Sequence, residues 1–247
     1  MPLANRVALV TGASRGLGKG IALALAAEGM RIALCYRTKQ TAAKKVARQI
    51  QALGTEVLVQ QADVTVPAQV EKLVKGTVKH FGRIDVLINN VGEFGWRPVS
   101  ESTLDEWERI LASNLFSAFY MSKQVLPVMR KQRWGRIVNL GAAGAERAFG
   151  QAKISAYAAA KAAVVAFSRS LAIEEARHGI TVNVVNPSNV DDQGLTLEEA
   201  RRIRDARFPV GRPPTAEDVA AAIKFFISDQ AGYTTGQVLT VSGGWML

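Results

Sequence analysis

The chain is poor in the residues that build disulfides and metal centres. Cys35 is the one cysteine among 247 residues, which excludes an intrachain disulfide and a cysteine-based zinc site. His80 and His178 are the only histidines, too few for a histidine-rich metal centre. Aromatic residues make up only 7 %, no run of five like charges occurs, and no nucleic-acid-binding motif is visible. The net charge of +10 is therefore weak support for a nucleic-acid module, which steeply salt-dependent duplex binding would reveal. There is no charged-then-apolar leader, and no apolar run approaches ~18 residues, so a cytoplasmic chain without a membrane span is expected. Pro/Gly/Ser-rich linkers and internal repeats are also missing, so one domain over residues 1–247 is the economical reading.

What is present is a globular composition. Hydrophobic residues make up 48 % and charged residues 21 %, which excludes disordered and collagen-like chains. The positive excess is uneven. Residues 1–82 hold 12 basic and 4 acidic side chains, residues 83–150 hold 9 and 7, and residues 151–247 hold 10 and 10. An excess confined to the first third fits an anionic cofactor or partner, or plain solubility.

Short apolar runs alternate with helical spacing along the whole chain. Strands are expected near 6–10, 31–36, 56–60, 85–89, 136–140, 181–186 and 237–241. Helices are expected near 17–29, 39–53, 67–82, 103–130 (broken near Pro127), 155–178, 196–206 and 215–229. This alternation predicts an α/β fold, a doubly wound Rossmann-type domain with a parallel sheet of about seven strands and helices on both faces. A ligand of such a fold sits at the carboxyl ends of the strands.

The turn after the first strand reads Thr11-Gly12-Ala13-Ser14-Arg15-Gly16-Leu17-Gly18. Glycines permit a tight turn and close backbone approach, and the helix that follows offers free N–H groups and a positive dipole end to phosphate. A Walker loop needs another spacing and a Lys followed by Ser or Thr. The pattern Gly-x-Ser-x-Gly over 12–16 also matches a nucleophile elbow, but that requires an acid and then a histidine downstream. His80 and His178 both fall near helix ends, where imidazole commonly caps. A bland glycine turn remains a further alternative. Dinucleotide binding explains the turn best. After the second strand the chain reads Tyr36-Arg37-Thr38-Lys39, with no acid between Glu28 and Glu56 to hold a ribose 2′-hydroxyl. Arg37 and Arg15 instead suit a 2′-phosphate, so NADP(H) is the expected cofactor, unless Arg37 is a plain surface residue.

Tyr157 and Lys161 lie four apart on one predicted helix and share a face. A neighbouring ammonium favours phenolate, so Tyr157 is expected to have a lowered pKa and to act as a general acid. Together with Gly12, Gly16, Gly18, Ala62-Asp63-Val64, Asn89-Asn90-Val91-Gly92, Asn114, Asn186-Pro187 and Thr235-Gly236-Gln237, the chain resembles the short-chain dehydrogenase/reductase family over nearly its whole length. Within that family it is most similar to the 3-oxoacyl-acyl-carrier-protein reductases. The resemblance implies Tyr157 as proton donor and Lys161 as the residue that binds the nicotinamide ribose and tunes Tyr157. It also implies Asn114 as holder of a relay water, Asp63 and Val64 flanking adenine, and Asn90 at the nicotinamide-side ribose. The implied cofactor site is Gly12, Ser14, Arg15, Gly16, Leu17, Gly18, Arg37, Asp63, Val64, Asn90, Gly92, Tyr157, Lys161 and Pro187. The expected activity is NADPH-dependent reduction of a ketone, foremost a 3-oxoacyl thioester. The alternatives are another carbonyl or imine (a sugar, a steroid-like ketone, a pteridine) and an NADP(H)-binding relative with little catalysis. Acyl carrier protein is an expected partner, with Arg133 at the docking position, and a homotetramer is the implied assembly. Its contacts would come partly from helices near 104–130 and 155–178 and from the C-terminal segment.

Two positions depart from the family pattern. The serine after the fifth strand is missing. Ala142 stands there by strand-side alignment, and Gly144 by counting back from Tyr157. Either a backbone N–H or water substitutes, or the substrate needs less help, or the protein is a weak or non-catalytic relative; one lost donor of this kind costs ~10²–10³ in rate. Ser155 is nearby but is expected to cap its helix. The second departure is Pro187-Ser188 in place of Pro-Gly, at the start of a substrate loop near 188–212. Phe94 and Trp96, with Ala142 and Gly144, are the candidate lining of the substrate pocket.

Overall fold

Val7–Val10 (β1) is buried throughout, and its side chains alternate between two cores. Ala8 and Val10 enter one, Val7 and Leu9 the other, as the period-2 geometry of a doubly covered strand requires. The same division continues through β2 (Arg31–Tyr36), β3 (Val57–Gln61), β4 (Val86–Asn89), β5 (Gly135–Leu140) and β6 (Ile180–Pro187), while the edge strand β7 (Val238–Val241) leaves Leu239 exposed. The computed structural model describes residues 3–190 and 194–246; residues 191–193 of the expected substrate loop lie outside the described residues.

All strands pair in parallel, in the order β3-β2-β1-β4-β5-β6-β7. Leu9 pairs with Ala33 on one side and Leu87 on the other, so the chain reverses its direction of winding at β1. On one face lie α1 (Gly16–Ala27), α2 (Gln40–Ala52) and α8 (Ala216–Ile227). On the other lie α3 (Pro67–Phe81), α5 (Ser117–Gln132) and α6 (Ser155–Glu175), with α4 (Leu104–Leu111) packed beside α6. A short α7 (Leu197–Arg201) precedes α8.

Three expectations change. The helix expected over 103–130 is interrupted by a π-helical turn at Ala112–Phe116, and α5 runs on through Pro127. Pro127 and Lys123 are both exposed, so the carbonyl that loses its amide partner faces water and the helix survives. The helix expected over 196–206 stops at Arg201 after starting on a capping box of Thr196 and Glu199. Ser155 is the first helical residue of α6 and makes no cap bond; Ile154 holds the cap position. The segment Ser155–His178 is long and apolar enough to cross a membrane by length and composition, the one such helix among the described residues. Its alanines raise its hydropathy, and it packs on β6 as a core helix.

Candidate active site

A cleft of about 660 Å³ opens at the carboxyl ends of the strands, where the winding reverses. Its floor is the glycine turn. Gly12 has φ +65°, and a Cβ there would lie 2.9 Å from Val91 Cγ2. A Cβ on Gly18 would lie 2.7 Å from the Gly12 carbonyl oxygen, so α1 can approach the turn only without a side chain. Thr11 ties the turn to β4: its Oγ1 donates to Ile88 O (3.3 Å) and accepts from the Asn90 amide (2.9 Å). Asn90 Nδ2 donates back to Thr11 O at 2.9 Å. No side chain caps the first turn of α1, and its amides face this cradle.

The far end of the cleft is basic. Arg37, Thr38 and Lys39 follow β2 and line it. The Arg37 side chain is 64 % exposed, with its guanidinium 3.9 Å from Asp63 Oδ2. Asp63 Oδ1 accepts from the Thr65 amide (2.9 Å) and hydroxyl (2.7 Å), which fixes that carboxylate at the cleft wall. Cys35 also lines the cleft, but burial pushes its thiol up to about 11, so it packs rather than reacts. The residues present thus fit a dinucleotide: a phosphate cradle closed to any Cβ, with basic side chains at the far end of the cleft.

At the near end, the first turn of α6 carries Tyr157, whose ring meets Phe94 edge-to-face with centroids 5.0 Å apart. One turn on, Lys161 is buried, and its Nζ donates to Leu140 O at 2.7 Å and sits 5.6 Å from the Tyr157 ring centre. Burial pushes the Lys161 ammonium down to about 8. Burial also pushes the Tyr157 phenol up to about 12, which reverses the expected lowering. Loss of hydration on burial is the cause of the Tyr157 shift and outweighs the neighbouring ammonium, whose Nζ is engaged by Leu140 O. The π-helical turn places Asn114 opposite this pair. Its Nδ2 is committed to Glu93 O (2.8 Å) and Ile110 O (2.9 Å), and its Oδ1 is buried without a partner. A Cβ on Gly92 would be nearest to Asn114 Oδ1 and 3.3 Å from Lys161 Nζ, so both groups converge on one spot.

The cleft brings together Gly12, Ser14, Arg15, Leu17, Gly18, Arg37, Asp63, Val64, Asn90, Gly92, Phe94, Asn114, Tyr157, Lys161 and Pro187. Gly16 lies in the turn but does not line the cleft. Trp96 does not reach it either; it leans on Phe94 at 6.1 Å. Ala142 and Gly144, expected as substrate lining, are both buried, next to Leu140 and Gly141 on the cleft wall. A 3₁₀ turn at Ala145–Arg147 draws their loop inward, and the Phe149 ring covers Gly144. Lys39, Glu93 and Asn189 line the cleft without having been singled out. Lys39 was legible from its place two residues after Arg37; Glu93 and Asn189 carried no sequence signal.

A family model described as enoyl-(acyl carrier protein) reductase matches residues 12–246. The 3-oxoacyl-acyl-carrier-protein reductase of Synechocystis is 40 % identical over 247 residues, 99 % of this chain and 98 % of that one. The corresponding enzyme of Salmonella typhimurium is 39 % identical over the same shares. Among solved structures, a Serratia marcescens short-chain dehydrogenase/reductase mutant superposes with TM-score 0.89 at 32 % identity, covering 100 % of both chains. An actinorhodin polyketide ketoreductase variant with NADPH superposes with TM-score 0.88 at 34 % identity, covering 98 % of this chain and 97 % of that one.

Proposed function

Because the chain belongs to the short-chain dehydrogenase/reductase family, we propose that it is an NADPH-dependent reductase of ketones, foremost a 3-oxoacyl thioester. The observation that carries this reading is that Tyr157 and Lys161 share one cleft with the glycine cradle. A bound reduced nicotinamide would supply the hydride to the carbonyl carbon. Tyr157 then gives its Oη proton to the carbonyl oxygen as charge develops there. A phenol with a pKa near 12 is fully protonated at neutral pH and ready to donate. Lys161 at about 8 is still largely an ammonium at neutral pH, and its field stabilises the phenolate that Tyr157 becomes. Asn114 Oδ1 offers an acceptor to the proton path that restores Tyr157.

Preference for NADPH over NADH is supported by Arg37 and Lys39 at the basic end of the cleft and by the NADPH in the ketoreductase relative. An acidic carrier protein as substrate-bearing partner is supported by the names of the relatives and by exposed Lys131 and Arg133 after α5. Arg130 is committed to the Glu175 carboxylate and adds little. A tetramer is supported by the exposed Leu104, Phe116, Phe119 and Ile173 on α4, the π-helical turn, α5 and α6. One domain is supported by the unbroken family match. The exposed Phe94 ring on the cleft wall favours a second substrate class, a bulkier ring ketone.

The test is NADPH oxidation with a short 3-oxoacyl thioester and with a cyclic ketone, wild type beside Tyr157→Phe. Turnover by wild type with a loss of ~10² or more in the variant is the expected result. NADPH binding with no turnover on any ketone would sink the reading.

A further inference from the structure

The cleft lacks the family's hydroxyl donor at Ala142, yet it holds a serine where the family has glycine. Ser188 lines the cleft beside Pro187, in the same cavity as Tyr157 and Lys161. Its residue is 7 % exposed, and its Oγ is buried with no hydrogen-bond partner. The main chain of Ser188 is fully engaged: its amide donates to Val241 O (3.2 Å), and its carbonyl accepts from the Val190 amide (2.9 Å). The Oγ is therefore the one polar group of this residue left unanswered. Leaving a buried hydroxyl without a partner is destabilising, so such a group signals a missing partner.

Ser188 is tied through the main chain to the loop that bears Ala142. Gly141 N donates to Val185 O (2.9 Å) and Ala143 N to Pro187 O (3.1 Å), which laces the loop bearing Ala142 to the segment ending in Ser188. Those bonds also remove the Gly141 and Ala143 amides from the groups that could replace a serine. Ala142 offers no hydroxyl there, while Ser188 lines the cleft with one whose donor is unused.

We propose that Ser188 is a catalytic residue that takes over the role of the absent serine, its Oγ donating a hydrogen bond to the carbonyl oxygen of the substrate beside Tyr157. The exchange is reciprocal: alanine where the family has serine, serine where it has glycine. Because the Oγ is covered in the free protein, this role requires the hydroxyl to turn about χ1 toward a ligand when one enters the cleft. There it meets the charge that develops on oxygen as the hydride arrives, while Tyr157 supplies the proton. This rests on the ketone-reductase reading above.

The experiment compares wild type, Ser188→Ala, Ala142→Ser and the Ala142→Ser/Ser188→Ala pair. It reads kcat and KM for a short 3-oxoacyl thioester and a cyclic ketone, the Kd for NADPH by calorimetry, and the melting temperature. Ser188→Ala should lower kcat/KM by ~10², mainly through kcat, with the NADPH Kd within ~2-fold. It should melt no lower than wild type, because it removes an unanswered buried hydroxyl; a purely structural serine would lower the melting temperature. Adding Ala142→Ser should recover ~10-fold or more of the lost activity. An active wild type whose Ser188→Ala variant stays within ~3-fold overturns the proposal and leaves the ketone-reductase reading standing. A loss matched by weaker NADPH binding overturns it too. Activity in Ala142→Ser but not in wild type means that Ser188 does not replace the serine. No turnover in any of the four, with NADPH bound, removes the ketone-reductase reading and Ser188's role with it.

Discussion

The two ends of the cleft are built by different means. The end formed by β1, α1 and β4 is a backbone object: a turn closed by missing Cβ atoms and stitched by Thr11 and Asn90. The end formed by α6 and the loops after β5 and β6 is a side-chain object, assembled from Tyr157, Lys161, Asn114 and the 187–190 segment. A backbone cradle admits almost no substitution, whereas a side-chain donor can come from a neighbouring position if that position faces the same space. This chain keeps the family's glycines at the first end and changes two residues, Ala142 and Ser188, at the second.

The comparison breaks most sharply at Tyr157. Tyr157→Phe keeps the ring and its contact with Phe94 but removes the proton, so kcat should fall by ~10³ with NADPH affinity unchanged. Gly18→Ala should do the converse. Its methyl collides with the Gly12 carbonyl, so the NADPH Kd should rise by ~10² or more in calorimetry while Tyr157 and Lys161 stay in place. If both variants lose cofactor binding alike, the two ends are one cooperative unit and the contrast fails.

Lys161 sharpens the contrast, because the side-chain end bears a cost in stability that the backbone end does not. A shift from 10.5 to about 8 means that holding a buried ammonium costs the free protein about 3 kcal/mol at neutral pH. Lys161→Met should abolish most turnover yet raise stability by about 2 kcal/mol at pH 7, after subtracting ~1 kcal/mol for the lost bond to Leu140 O. The sign follows from proton counting. Between pH 8 and 10.5 the unfolded chain holds the Lys161 proton and the folded chain has released it, so wild-type stability rises with pH through that window. Thermal unfolding should show the gap between variant and wild type closing from pH 8 to 10.5. Above pH 10 the raised Tyr157 acts the other way, because the folded chain keeps a proton that the unfolded one loses. A variant that melts lower than wild type at pH 7 would refute this account.

The backbone end was readable before any coordinates, since glycine spacing and strand periodicity are local. The order β3-β2-β1-β4-β5-β6-β7 was not, because strand pairing depends on how crossovers pack. Pro127 sits inside a continuous α5 because tertiary packing of that helix outweighs the local cost of the proline, whose face is exposed. At the other end, spacing put Lys161 one turn from Tyr157 but could not tell that both would be desolvated. The loss at position 142 was visible as a plain alanine. The unanswered hydroxyl of Ser188 was not, since only three-dimensional packing shows which donors lack acceptors.

The smallest expected effect lies at Arg37, where the cradle gives way to side chains. Its guanidinium is largely exposed and 3.9 Å from Asp63, a separation at which an exposed ion pair contributes at most about 1 kcal/mol. Little therefore holds Arg37 against a stronger anion, and a 2′-phosphate offers a charge-assisted contact worth more. Arg37→Ala should weaken NADPH binding by ~10-fold and leave NADH binding unchanged within ~2-fold, since NADH has no phosphate for it to meet. Salt should narrow the difference, because the contact is exposed and screened. Lys39 lines the same end of the cleft, so the double variant should lose more than either alone. Equal losses for the two cofactors would place Arg37 on the wall as a structural residue, and the preference for NADPH would have to come from elsewhere in the basic first third of the chain.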